Sequence, residues 1–276
     1  MTVADHSDDG ADTQAAPEID TSQAHSARIW NYWLGGKDHY PVDRVVGDQI
    51  QRLHPGIIDY ARGDRAFLGR AATYLAAEAG IRQYLDIGTG LPTVDNTHQV
   101  VQRIAPESRV AYVDNDPLVL VHARALLTSA PGGATDYIDA DLRDVDTVLE
   151  RAAKTLDFSE PVGLMLLGVV VFIEDEAEAL GTVGRLMDAL PSGSYLVLSH
   201  TITDPSMPEM DAAVAFWNEN GTPKLTQRTV DRVMHFFDGL DLIEPGVVSC
   251  SQWRAEPNAW GTPKPVAIVG GVGRKP

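Results

Sequence analysis

The stretch Tyr84-Leu85-Asp86-Ile87-Gly88-Thr89-Gly90-Leu91-Pro92-Thr93 decides the reading of this chain. Its first four residues, Asp86 apart, have the apolar character of a short buried strand. Gly88 and Gly90 follow as a sharp turn, where the missing Cβ lets a ligand come close to the backbone. Pro92 and Thr93 suit the first turn of a helix, because an N–H there has no intrahelical partner to lose. A strand, a glycine turn and a helix in this order form the nucleotide-binding end of a doubly wound α/β sheet.

Two nucleotides compete for such a turn. The dinucleotide fingerprint is G-x-G-x-x-G, with the pyrophosphate on the helix N-terminus. Here Gly88 and Gly90 are followed by Thr93, so the third glycine is missing. Asp86, two residues before the first glycine, would repel a pyrophosphate. It would attract the ammonium and sulfonium of S-adenosylmethionine (SAM). The Asp-x-Gly-x-Gly pattern therefore favours SAM over NAD, and an NAD(P)-dependent oxidoreductase becomes the lesser reading. A turn with a purely structural role is the plain alternative.

Composition narrows the partners. The 276 residues are 44% hydrophobic, enough for one large α/β domain with an appendage. Net charge is −17, and six acids fall in the first twenty residues with no Lys or Arg. The rest of the chain stays strongly negative, which repels nucleic-acid phosphates and anionic membranes. Cys250 is the only cysteine, so no intrachain disulfide forms and a reducing compartment suits the chain. The apolar run 163–173 is too short to span a bilayer, and the acidic N-terminus is not a secretory signal. A cytoplasmic protein with a small-molecule substrate is the expectation.

The organisation follows in three parts. Residues 1–20 read as a disordered acidic tail. Residues 21–80 read as a helical cap, with helices over 26–34, 42–53 and 55–79 and a polar turn Gly35-Gly36-Lys37-Asp38-His39-Tyr40. Residues 81–276 read as the nucleotide-binding domain. In it, helix 93–104 leads to a strand over 109–114 that ends on Asp114. An acid there can accept from the 2′ and 3′ hydroxyls of a ribose, while Asp116 before Pro117 suits helix capping. The third strand, 134–138, leads to Asp141 and Leu142, placed for an adenine amino group and ring; Asp144 suits the cap of the next helix. Residues 161–173 read as a buried central strand, and 194–199 as a fifth strand that delivers His200 to the same edge. Helices are expected over 207–219 and 226–237. Strands are expected over 240–248 and 265–270, with a surface loop holding Trp253 and Trp260 between them. No zinc, calcium or P-loop spacing is present.

Taken together, these stretches resemble the actinobacterial SAM-dependent methyltransferase family once catalogued as DUF574. The resemblance rests on 28–38 (Arg-Ile-Trp-Asn-Tyr-Trp-Leu-Gly-Gly-Lys-Asp), 67–71, 85–93, Asn96-Thr97-His98, Tyr112-Val113-Asp114-Asn115-Asp116-Pro117, 139–143 and Leu198-Ser199-His200. It implies an α/β class I methyltransferase (Rossmann-like) fold, whose seven-stranded, mostly parallel sheet ends in an antiparallel strand. It also implies that the N-terminal helices and the Gly-Gly-Lys-Asp turn close over the cofactor. The expected cofactor-binding residues are Asp86, Gly88, Thr89, Gly90, Asp114, Asn115, Asp141, Leu142, Lys37 and Asp38. His200 and His39 are the candidate bases. One departure stands out: relatives carry a Leu-His-Phe-Ile-like segment where this chain has Val170-Val171-Phe172-Ile173, with Val171 at the histidine position. A SAM-binding protein without catalysis is therefore a second alternative.

Overall fold

The computed structural model describes residues 19–93, 95–126, 129–257 and 261–276. The expected acidic tail falls outside the described residues up to position 18. In chain order the elements are β1 (Ala24–His25), α1 (Ser26–Trp33), α2 (Pro41–Leu53), α3 (Ile57–Ala77), β2 (Gln83–Ile87), α4 (Thr97–Ile104), β3 (Arg109–Asp114), α5 (Pro117–Leu126) and β4 (Ala134–Asp139). They continue with α6 (Val145–Ala152), β5 (Val162–Leu167), α7 (Glu176–Asp188), β6 (Tyr195–Thr201), α8 (Pro208–Asn220), β7 (Gly221–Thr222), α9 (Val230–Met234), β8 (Asp241–Leu242), β9 (Val248–Ser249) and β10 (Ile268–Arg274).

The main sheet runs β4-β3-β2-β5-β6-β10-β8, with β9 also paired to β10. Strands β2 to β6 are parallel, and β10 is antiparallel to its neighbours. This is the mostly parallel sheet of a class I methyltransferase fold, with eight strands among the described residues rather than seven. The expected strand 240–248 is divided: Gly246 adopts φ +84°, and only Asp241–Leu242 and Val248–Ser249 reach β10. The final strand lies further along than expected, at Ile268–Arg274.

Both sheet faces are covered, so the central strands are buried along their whole length. Alternate residues face opposite layers. Tyr84, Tyr112, Met165 and Val197 pack with the cap helices and α8. Leu85, Val113, Leu164 and Leu198 pack with α6, α7 and the short helical turn at 235–237. By the same parity Asp86 and Ser199 face the cap layer, whereas His200 faces the opposite layer.

The cap is fixed by a buried ion pair. Asp43 is fully buried; its Oδ1 accepts from His25 N at 3.0 Å and Arg28 Nε at 3.1 Å, and its Oδ2 from Tyr40 N at 2.8 Å. Arg28 also donates to the carbonyls of Asp20 and Gln23. One carboxylate thus joins the start of α1, the turn and α2.

Several expected boundaries shift for local reasons. Helix α4 starts at Thr97, because Asn96 and Gln99 form a capping box there; residues 91–93 belong to the loop. The apolar run 161–173 leaves the sheet at Gly168 (φ +61°) and continues as a 3-10 turn, Val170–Phe172. Thr229 caps α9 through Arg232 N, shortening the helix expected over 226–237. Trp253 is core rather than surface: it is fully buried, edge-on to Phe67 at 5.4 Å, and its carbonyl accepts from Arg70 Nε at 2.6 Å. Trp260 lies outside the described residues.

Candidate functional site

A cavity of about 450 Å³ lies along the C-terminal ends of β4, β3, β2 and β5, roofed by α1 and α3. Ligands of open α/β sheets bind outside those ends. The strand-turn at 86–90 builds its floor. Gly88 has φ +76°, and a Cβ there would come within 2.3 Å of the Val169 side chain. Its N–H donates to Val113 O at 2.8 Å, tying the turn to β3.

Asp86 is 5% exposed and lines the cavity. Its Oδ2 accepts from Thr97 Oγ1 at 2.6 Å. Burial pushes its carboxyl up to about 6, against the pull of the Thr97 hydroxyl and the positive field of Arg65. That contact gives Asn96-Thr97-His98 a physical meaning: Asn96 caps α4, Thr97 holds Asp86, and His98 N donates to Tyr112 Oη at 2.8 Å.

Asp114 closes the glycine turn from the next strand. Its Oδ2 accepts from Gly90 N at 2.8 Å and its Oδ1 from Asp116 N at 3.0 Å. Burial raises its pKa, and these two N–H groups moderate the rise. Asn115 is exposed at the rim. Asp116 caps α5 through Leu118 N, as expected, and its Oδ2 lies 2.8 Å from His25 Nδ1. Thr89 Oγ1 pairs with Tyr137 Oη at 2.9 Å.

Asp141 and Leu142 stand at the far end of the same cavity. Arg143 Nε and Nη2 donate to the two oxygens of Asp141 at 2.9 and 2.6 Å, and this pairing holds its carboxyl below the usual range. Leu142 is buried beside it.

The other expected residues lie elsewhere. Lys37, Asp38 and His39 do not line the cavity. Asp38 N donates to Asn31 Oδ1 at 2.9 Å, and its carboxylate lies 3.9 Å from His122 Nε2. His39 Nδ1 is 3.3 Å from Arg44 Nη1, and its ring meets Tyr32 edge-on. Gly36 is required here, because a Cβ would meet the Asn31 side chain at 2.4 Å. It is helix α1, through Trp30 and Asn31, that roofs the cavity.

His200 is fully buried on the opposite sheet face. Its Nδ1 is 2.7 Å from Thr201 O and its Nε2 is 2.8 Å from Arg228 Nη1. This assigns the Nδ1–H tautomer, with Nε2 accepting. Burial pushes the ring down to about 4. The geometry gives it no reach into the cavity. Val171 is buried too and does not line the cavity, so the position of the family histidine presents nothing to a ligand here.

Sequence reasoning missed Asp64 and Arg65, both cavity-lining residues of α3. A signal existed. Tyr60, Asp64, Phe67, Leu68, Ala71 and Leu75 recur at helical spacing on one buried stripe. An acid on the apolar stripe of a helix is the exception to explain.

The residues present fit an adenosyl amino acid. Three carboxylates at successive strand ends suit an ammonium, a ribose diol and an amino-purine, and Arg65 suits a carboxylate. Sheet and site together define a SAM-dependent methyltransferase of the class I fold. The chain belongs to the S-adenosyl methyltransferase family, whose profile matches residues 12–276. It is similar to the crystal structure of a DUF574 family protein from Streptomyces avermitilis MA-4680: 42% identity, TM-score 0.89, covering 94% of this chain and 100% of that one. A protein from Thermobifida fusca YX is 37% identical with TM-score 0.85, over 95% of this chain and 99% of that one. No curated protein matches the chain. Among the described residues no helix is long and apolar enough to cross a membrane.

Proposed function

We propose that this methyltransferase acts on a small-molecule acceptor and holds SAM in one orientation along the sheet edge. The observation that carries this reading is the order of the acids: Asp141, Asp114 and Asp86 follow β4, β3 and β2 in the sheet and line one cavity. Asp141 and Leu142 take the adenine, Asp114 with Asn115 the ribose, and Asp86 the methionine ammonium. Gly88, Thr89 and Gly90 bring backbone close to the ligand, and Arg65 faces the methionine carboxylate. When bound, SAM supplies an electrophilic methyl on a positively charged sulfur.

The chain's own part is alignment and exclusion of water. Alignment alone can supply much of the rate of a displacement. Helix α1 covers part of the cavity with Trp30, and Leu34 just after the helix adds to that cover, leaving a concave space suited to a small molecule rather than a polymer. Strong negative charge supports the same choice. Calorimetry with SAM, S-adenosylhomocysteine and NAD tests the cofactor: the first two bind and NAD does not. Incubation with SAM and a metabolite extract, read by mass spectrometry, tests the acceptor. A small product one methyl heavier supports the reading; methyl transfer only to added protein or nucleic acid overturns it.

A further inference from the structure

The cofactor reading leaves one buried carboxyl of the cavity without a role. Asp64 on α3 is 5% exposed and lines the cavity. It sits against Ser199 of β6, whose partner across the ladder is Leu167 at the end of β5. Ser199 O accepts from Gly168 N at 3.2 Å, so this spot borders the β5 exit. The Ser199 hydroxyl is buried without a well-formed hydrogen bond, yet close enough to favour the charged form of Asp64. Cys250 Sγ lies 3.8 Å from Asp64 Oδ1. One turn earlier, Tyr60 Oη meets Thr201 Oγ1 at 2.7 Å on the same face of β6.

Adenine, ribose and methionine acids occupy the ends of β4, β3 and β2. The next strands in the sheet are β5 and β6, and Asp64 is the acid found there. Resting on the SAM reading, we propose that Asp64 faces the transferred methyl and takes the proton from an acceptor that carries an O–H or N–H nucleophile on an apolar body. The acceptor heteroatom gains a bond to the methyl carbon. The carbon–sulfur bond breaks with its pair left on sulfur, and the acceptor proton passes to the Asp64 carboxylate.

The walls suit an apolar body. Trp30 and Phe172 line both the large cavity and an adjoining apolar hollow of about 40 Å³, whose wall includes Tyr60 and Trp217. The Trp30 and Tyr60 rings lie 5.5 Å apart. Burial raises the Asp64 carboxyl above the usual carboxylate range, which suits a proton acceptor.

Binding can test this without knowing the acceptor. Sinefungin carries a C–NH3+ group where SAM carries its sulfonium methyl; S-adenosylhomocysteine carries an uncharged sulfur. The wild-type protein is expected to bind sinefungin about tenfold tighter than S-adenosylhomocysteine, as a charge-assisted hydrogen bond allows. Asp64→Asn should erase that preference while leaving S-adenosylhomocysteine affinity within about twofold. Asp86→Asn should weaken both ligands alike and keep their ratio. Equal wild-type affinities, or a ratio unchanged in Asp64→Asn, would overturn the proposal. So would an equal loss of both ligands in Asp64→Asn, which would place Asp64 at the methionine end. If Asp64→Asn does not fold, Asp64→Ser repeats the comparison, and the wild-type ratio stands as a test by itself. Failure of the wild type to bind either ligand would defeat the SAM reading instead.

Discussion

Two polar glycine turns, at 35–40 and 86–93, look alike in sequence and differ in what their polar groups do. In the first, the chain satisfies itself. Asn31 accepts from Asp38 N, Asp43 accepts from Tyr40 N and His25 N, and Arg28 neutralises Asp43. In the second, Asp86 has a hydroxyl donor from Thr97 and sits buried at the cavity wall. A buried carboxylate that already has a cation and backbone donors fastens structure. One that meets a cavity with a raised pKa is poised for a ligand. Polar composition alone does not separate the two; the partners do.

The largest expected effect lies on the self-satisfied side. Asp43→Ala leaves Arg28 buried without its counter-ion and should cost about 3–5 kcal/mol of stability, read by urea denaturation. Asp86→Asn should cost far less by the same measurement. If the two losses were equal, the division between fastening and binding carboxylates would collapse.

On the binding side, Asp114→Ala comes first. Loss of charge-assisted bonds to ribose should weaken SAM, S-adenosylhomocysteine and adenosine together by about tenfold or more. Asp86→Asn should weaken the first two and spare adenosine, which has no ammonium. Titration of the folded variants with all three ligands checks both assignments. Adenosine binding lost in Asp86→Asn would move Asp86 away from the methionine end.

Acidity sharpens the same contrast. With its folded pKa at about 6 against an ordinary 3.8, Asp86 holds a proton in the folded chain that the unfolded chain has released. The ligand-free protein therefore gains stability, relative to Asp86→Asn, as pH falls from 6 toward 4. SAM affinity runs the other way, falling below pH 6 as the carboxylate that meets the ammonium is neutralised. Thermal melts and calorimetry across that window read the two slopes; a matching SAM slope in Asp86→Asn would assign it to another group. The smallest effect belongs to the first turn: Lys37→Ala and Asp38→Ala should change SAM affinity by no more than about twofold, and a tenfold loss in either would return that turn to the site.

Much of this is legible in the sequence. The strand 109–114 matches β3, because its unbroken apolar run Val110-Ala111-Tyr112-Val113 ends on acids that start a new element. The glycine turn and the acids at 86, 114 and 141 do reach one cavity. What the sequence hid was sidedness. His200 and Ser199 are neighbours in the chain, but strand parity sends Ser199 to the cap and His200 to the opposite layer. Counting alternation from Leu196 and Leu198 would have shown this. Asp64 was hidden differently: an acid in a helix reads as a solvated position until the stripe it interrupts is traced. The division of 240–248 had no local signal beyond Pro245-Gly246.

The small ladder between β1 and β7 has a consequence for how the molecule comes into being. It pairs Ala24 with Gly221 and His25 with Thr222. His25 and Thr222 both border the cavity. Contacts between such distant chain positions carry a high loop-closure cost and slow folding. During synthesis β1 and the first roof helix emerge early, but β7, the strand that pairs with β1, follows only after β2 to β6 have been made. One edge of the cavity is therefore completed late in assembly. A nascent chain that stops before Gly221 can own every acid of the nucleotide row and still lack the Thr222–Pro223 edge of the room they line.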